Sequence, residues 1–256
     1  MPYLETRDLP IYYESHGQGP ALVFAHGAGG NAAIWFNQIA HFSPNYQVIA
    51  FDHRCFGRTG VPAAPLTVHD FRDDLLALLD QLDIEQAHLV GQSMGGFTAL
   101  RTTLDVPDRV ASLTMSATGG GIYNPNPSEA FRKMTSSEDA KGVLETMSAK
   151  SSQNPALMQL YTSINNFNVN FSWSRLATLL GPDDVIQVEE LASIATSTLF
   201  IAGAEDPLFP PDLLASYAPH FQQANIEIVQ DSGHSPYFEQ PNEFNQLLER
   251  HIAGGS

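Results

Sequence analysis

The stretch that most constrains this chain runs Ala87-His88-Leu89-Val90-Gly91-Gln92-Ser93-Met94-Gly95-Gly96. An apolar, strand-like run feeds a Gly-x-Ser-x-Gly pentapeptide, and the helix-like Phe97-Thr98-Ala99-Leu100 follows. A serine between a strand and a helix sits on a sharp turn with strained backbone angles. Gly91 and Gly95 flank it because a side chain at either position would clash in so tight a turn. The turn lifts the hydroxyl above the sheet. It also sets the serine at a helix N-terminus, where backbone N–H groups lack partners and the dipole favours negative charge.

The rest of the chain alternates around this turn. Residues Tyr3 to Glu14 read as a hairpin turning near Arg7-Asp8. Ala21–Ala25 is a short, continuous apolar run, as a buried parallel strand requires, and Gln47–Phe51 is the next strand. Helices are predicted from about Ala32 to Phe42 and from Val68 to Leu82. Strands follow at Val110–Met115, Thr198–Ala202 and Ile226–Val229, and a closing helix runs from Pro241 to Ile252. Alternating strand and helix predicts an α/β fold, a mostly parallel, doubly wound sheet with helices on both faces. The alternation breaks after Ser116. Residues 119-190 carry helical pattern without a convincing strand, and are read as a helical cap inserted into a core of residues 1-118 and 191-256.

Ser93, Asp206 and His234 each follow the carboxyl end of a predicted strand. In a parallel sheet those ends share one edge, so residues distant in sequence meet there. The chemistry needs all three types. A serine hydroxyl is a weak nucleophile at neutral pH, and an imidazole must take its proton during attack. A carboxylate must hold that imidazole in the right tautomer and stabilise its charged form. Glu205 competes with its neighbour Asp206 for the acidic role.

The chain resembles the α/β-hydrolase superfamily over nearly its full length. The resemblance rests on His26-Gly27-Ala28-Gly29-Gly30, Asp52-His53-Arg54-Cys55-Phe56-Gly57-Arg58-Thr59, Gly91-Gln92-Ser93-Met94-Gly95-Gly96, Gly203-Ala204-Glu205-Asp206-Pro207 and Ser232-Gly233-His234, in the order Ser, Asp, His. It implies Asp206 as the triad acid and His26 as a residue that orders the glycine turn after it. It also implies an oxyanion hole from the backbone N–H of Met94, after the nucleophile, and a second N–H from the loop after the first buried strand. Ala28 is expected there, with Gly29 as second choice. Cys55 departs from the family pattern, where glycine is usual, so an altered loop is expected. His53, His69, His88 and His220 have no motif around them and are assigned surface or packing roles.

A serine nucleophile fits acyl transfer to water, hence hydrolysis of small to medium, mostly uncharged esters or lactones. Two alternatives stay open. Carbon–carbon bond hydrolases of ring-cleavage products share the triad but typically carry Trp after the histidine, where Ser235 stands here. Some hydrolase-fold receptors keep an intact triad and use the cap for signalling. Substrate selection is expected in an apolar pocket lined by Trp35, Met147, Trp173 and Phe209.

Composition narrows the partners. The chain has 12 Lys and Arg against 28 Asp and Glu, a net charge of -16, which repels nucleic acid and anionic membranes. No apolar run reaches the length of a membrane span. The single cysteine, Cys55, excludes an internal disulfide and suits a reducing compartment, so a cytoplasmic location is expected. The N-terminus lacks the pattern of a signal peptide. No His/Cys/Asp spacing suggests a metal site. A small-molecule ester substrate, no cofactor and a monomer or homodimer complete the expectation.

Overall fold

In a computed structural model of the chain, residues 3–6, 8–136, 144–176, 178, 179, 181 and 184–254 are described. Eight strands form one sheet: β1 (Tyr3–Glu5), β2 (Pro10–His16), β3 (Ala21–Ala25), β4 (Gln47–Phe51), β5 (Ala87–Gln92), β6 (Val110–Ser116), β7 (Thr198–Gly203) and β8 (Ala224–Val229). Their spatial order is β1-β2-β4-β3-β5-β6-β7-β8. The first two strands form an antiparallel hairpin, and β2 pairs antiparallel with β4; every later pairing is parallel. All five residues of β3 are buried, as are all six of β7. Side chains on both faces of these strands meet helices, which explains their unbroken apolar runs.

Two apolar clusters flank the sheet. One joins its first face to α2 (Val68–Gln81) and α3 (Gly95–Asp105), through residues such as Leu75, Leu78, Leu79 and Leu100. The other joins the opposite face to α1 (Phe36–Phe42), through Phe24, Trp35 and Phe42. The N-terminus of α2 is fixed by a capping box. Thr67 Oγ1 accepts from Asp70 N at 3.1 Å, and Thr67 N donates to Asp70 Oδ2 at 3.0 Å.

Between β6 and β7 the chain forms α4 (Glu129–Ser136), α5 (Ala149–Ser152), α6 (Pro155–Asn165) and α7 (Trp173–Leu176). The two ends of this insertion are tied where Tyr123 N donates to Ile186 O at 2.8 Å and Ile186 N donates to Gly121 O at 3.0 Å. Val143 lies outside the described residues, as do the side chains of Met134 and Trp173. Three helices follow: α8 (Pro211–Tyr217), α9 (Pro236–Glu239) and α10 (Pro241–Gly254). Of these the sequence reading missed α8 and α9. Both begin next to prolines that read as breaks, although proline at a helix's first position is compatible with it. No helix among the described residues is long and apolar enough to cross a membrane.

Candidate active site

Ser93 sits between β5 and α3 with φ 49°. A left-handed conformation is strained for a residue with a side chain and persists only where its surroundings impose it. Here they do. Ser93 N donates to Ser116 O at 3.0 Å, and the buried Thr118 donates its hydroxyl to Ser93 O at 2.6 Å. A Cβ on Gly91 would lie 2.6 Å from Gly95 O, and one on Gly95 only 2.1 Å from Ala25 O. The chain crosses itself too closely for any side chain at either position, as the tight turn expected of the pentapeptide requires. Met94 caps the start of α3, where its N–H lies outside the helical ladder.

His234 follows β8 and Asp206 follows β7. The imidazole donates from Nδ1 to Asp206 Oδ2 at 2.9 Å, with both side chains buried. The other carboxylate oxygen, Oδ1, accepts from Leu208 N at 2.8 Å and Phe209 N at 3.2 Å. Phe209 stacks on the imidazole, centroids 5.9 Å apart and planes 17° from parallel. Gln92, adjacent to Ser93, donates from Nε2 to His234 O at 3.0 Å and so binds the elbow to the histidine loop. Glu205 is exposed and accepts from Ala149 N at 2.8 Å, away from the imidazole.

The turn after β3 lies against the serine. A Cβ on Gly27 would come within 3.0 Å of Ser93 Cβ. Gly30 N donates to Gly27 O at 3.0 Å, and Gly29 has φ 85°, which glycine adopts freely. The buried His26 accepts from His53 N at Nε2, 3.0 Å, and therefore donates from Nδ1 to Gly27 O, 2.8 Å. Burial pushes its pKa down to about 4, so it stays neutral in this tautomer. His53 is buried too, its Nε2 2.9 Å from Thr98 Oγ1.

Cys55 takes the left-handed conformation, φ 73°, that glycine would supply. The loop nonetheless closes around Asp52, whose oxygens accept from Ala32 N at 2.6 Å and Arg58 N at 2.7 Å. The Cys55 thiol is buried, which raises its pKa and keeps it protonated.

The pocket expectations need correction. Phe209 lines a cavity of about 230 Å³, together with Phe97, Ile122, Phe131, Leu208 and Tyr217. Trp35 does not line it. Trp35 is fully buried in the core between Phe24 and Tyr237, with ring centroids at 4.8 and 4.3 Å. Met147 also lies elsewhere, in the same core cluster as Tyr161 and Ile164. The apolar bulk that points to a pocket lining in the sequence is used by the core as readily.

Sequence reasoning also missed Glu239. Its buried carboxylate accepts from Gly233 N at 2.9 Å and Ser235 N at 3.1 Å, on either side of His234. Its second oxygen accepts from Ser148 N of the insertion at 2.8 Å. The acid five residues after the histidine, in a proline-started turn, was the available signal.

A sequence profile described as alpha/beta hydrolase fold matches residues 20–160. The chain belongs to that family. It is 27% identical to 3-oxoadipate enol-lactonase 2 of Acinetobacter baylyi, over 96% of this chain and 94% of the relative. It is also 27% identical to the 2-hydroxy-6-oxononadienedioate/2-hydroxy-6-oxononatrienedioate hydrolase of Escherichia coli, over 96% and 92%. Among solved structures, Est816, described as an N-acyl homoserine lactone degrading enzyme, superposes with a TM-score of 0.80 at 30% identity, covering 97% of this chain and 99% of Est816.

Proposed function

We propose that this protein is a serine hydrolase of small, mostly uncharged carboxylic esters and lactones, working through an acyl-enzyme on Ser93. The observation that carries the reading is the buried 2.9 Å bond between His234 Nδ1 and Asp206, beside a serine held on a strained elbow. A bond at Nδ1 leaves His234 Nε2 unprotonated and able to accept the Ser93 proton as the oxygen attacks the carbonyl carbon. The carboxylate then stabilises the imidazolium. The N–H groups of Met94 and Ala28 receive the negative charge that develops on the carbonyl oxygen. His234 returns the proton to the departing alkoxide, which leaves the acyl group on Ser93. Water activated by the same imidazole then releases the acid.

The residues 119-190 act in this proposal as a cap over the cavity. A volume of about 230 Å³ falls below the roughly 300–1,000 Å³ of drug-sized ligand sites and suits a small acyl group. Its lining is aromatic and aliphatic, with Asn124 as a polar member. Lactone hydrolysis is supported by the two lactone-acting relatives, and a lactone is an ester whose leaving alcohol stays attached. A single cysteine, Cys55, leaves no pair for an internal disulfide, which suits a cytoplasmic location.

The test is a turnover screen over p-nitrophenyl esters of graded length, a γ-lactone and a ring-cleavage dienone. Many turnovers on short esters or the lactone, abolished in Ser93→Ala, support the proposal. Activity confined to the dienone would move the reading to carbon–carbon hydrolysis, and a single turnover would move it to a receptor.

A further inference from the structure

The turn proposed to supply one oxyanion donor is held by two peptide units joined by one hydrogen bond. The first unit comprises the Gly27 carbonyl and the Ala28 N–H. The second comprises the Gly29 carbonyl and the Gly30 N–H. Gly30 N donates to Gly27 O at 3.0 Å, so the orientation of the second unit bears on the first. His26 Nδ1 holds the first unit from the core side. The second unit is held from the inserted segment: Asn168, in the loop after α6, donates from Nδ2 to Gly29 O.

Asn168 does more than touch one loop. Its Oδ1 accepts from Gly57 N at 2.7 Å, in the loop that closes around Asp52, and from Asn31 Nδ2 at 3.5 Å. Asn31 Nδ2 also donates to Ile164 O at 2.9 Å, while Asn31 Oδ1 accepts from Ala33 N at 3.1 Å. One half-buried amide therefore joins the insertion to both loops beneath it. The link it makes to the glycine turn falls at its softest residue, Gly29, which has no side chain to restrict its backbone.

We infer that Asn168 is a positioning residue for the oxyanion hole, through which the seating of the cap sets the orientation of the Ala28 N–H. This inference rests on the acyl-transfer reading above. With Asn168 removed, the Gly29–Gly30 peptide is held only by its bond to Gly27 O and tilts more easily, and the Ala28 donor, still restrained by His26, loses the support that reached it from the insertion. The donor loses alignment with the transition-state oxygen, while contacts to the ground-state ester in the cavity stay as they were.

The experiment compares wild type, Asn168→Ala and Asn168→Asp in hydrolysis of a short p-nitrophenyl ester and in inhibition by phenylboronic acid. The boronic acid accepts Ser93 Oγ at its trigonal boron, with the hydroxyl proton passing to His234, and becomes a tetrahedral anion like the intermediate. Losing an oxyanion donor outright costs about a hundred- to a thousand-fold in kcat, so a loosened donor should cost about tenfold. KM should stay within about twofold, and boronate affinity should fall by the same factor as kcat/KM. The isosteric Asn168→Asp keeps the acceptor for Gly57 N–H but sets a carboxylate oxygen against Gly29 O, so it should lose at least as much. It carries the test alone if Asn168→Ala melts below the assay temperature. Folded variants with wild-type kcat and boronate affinity, or a loss confined to KM or melting temperature, would overturn the inference. Ser93→Ala, run beside them, separates the two levels: if it still hydrolyses ester, the acyl-transfer reading itself fails; if it is dead while the Asn168 variants are normal, only this inference fails.

Discussion

Asp206→Asn isolates what the carboxylate does for His234. The substituted amide has one oxygen and one NH2, and its surroundings decide which goes where. Leu208 N and Phe209 N both donate into the position of Oδ1, so the amide oxygen must face them. The NH2 is then forced toward His234 Nδ1, where Oδ2 accepted at 2.9 Å. A donor at that point requires Nδ1 to accept, which moves the ring proton to Nε2. In that tautomer Nε2 has no lone pair for the Ser93 proton. The same change in a serine protease lowers kcat about ten-thousand-fold, and that loss corresponds to about 5 kcal/mol of barrier. Because the packing is unchanged, the melting temperature should move little. The assay is kcat for a short p-nitrophenyl ester, with Glu205→Gln as the comparison. Glu205 accepts only from Ala149 N among these groups, and Gln keeps an acceptor there, so its kcat should stay within a few-fold. A loss under about a hundred-fold for Asp206→Asn, or a larger loss for Glu205→Gln, would refute the reasoning.

Further outcomes follow from the same geometry. Glu239→Gln replaces an acceptor of three backbone N–H groups by a group whose NH2 must face at least one of them, so stability should fall by roughly 1–3 kcal/mol and kcat with it; unchanged melting would contradict this. His26 is held neutral with a pKa near 4 against about 6.5 when unfolded, so the unfolded chain takes up the proton first as pH falls. Stability should therefore be intact above pH 6.5 and decline toward pH 4, by about 2 kcal/mol at pH 5 from this residue, and calorimetry should show a shallower decline in His26→Asn. Phe131→Ala, enlarging the cavity, should change the relative efficiency on short and longer acyl chains by about tenfold, whereas Trp35→Phe should lower the melting temperature and leave that ranking alone. The reverse pattern would return Trp35 to the substrate site.

The parts legible in the sequence were those fixed by local chemistry or by strand order. Gly91 and Gly95 announce the elbow because a Cβ at either would lie only 2.6 or 2.1 Å from a backbone oxygen, a constraint that selects glycine wherever the turn occurs. Asp206 and His234 were legible because parallel strands deliver their carboxyl ends to one edge. Phe209 was reachable because it lies three residues from Asp206. Asn168 was not, since it works through backbone groups of loops far away in sequence and an asparagine carries no mark of such a role; Glu239 lies near His234 in sequence, but its bond to Ser148 N joins a distant segment. Trp35 and Met147 show the limit of apolar identity. It says that a side chain avoids water, and not whether a cavity or the core excludes it. Cys55 shows a different limit: a residue can take the left-handed angle its position demands when the loop around Asp52 is held by other bonds.

The central claim is that Ser93 is the acylated nucleophile, and intact-mass spectrometry of the protein treated with an aryl fluorophosphonate tests it most directly. One adduct per chain, mapped by peptide sequencing to Ser93, absent in Ser93→Ala and formed far more slowly in Asp206→Asn, is the result expected. Stoichiometric labelling at another serine, or undiminished labelling of Ser93→Ala, would contradict it.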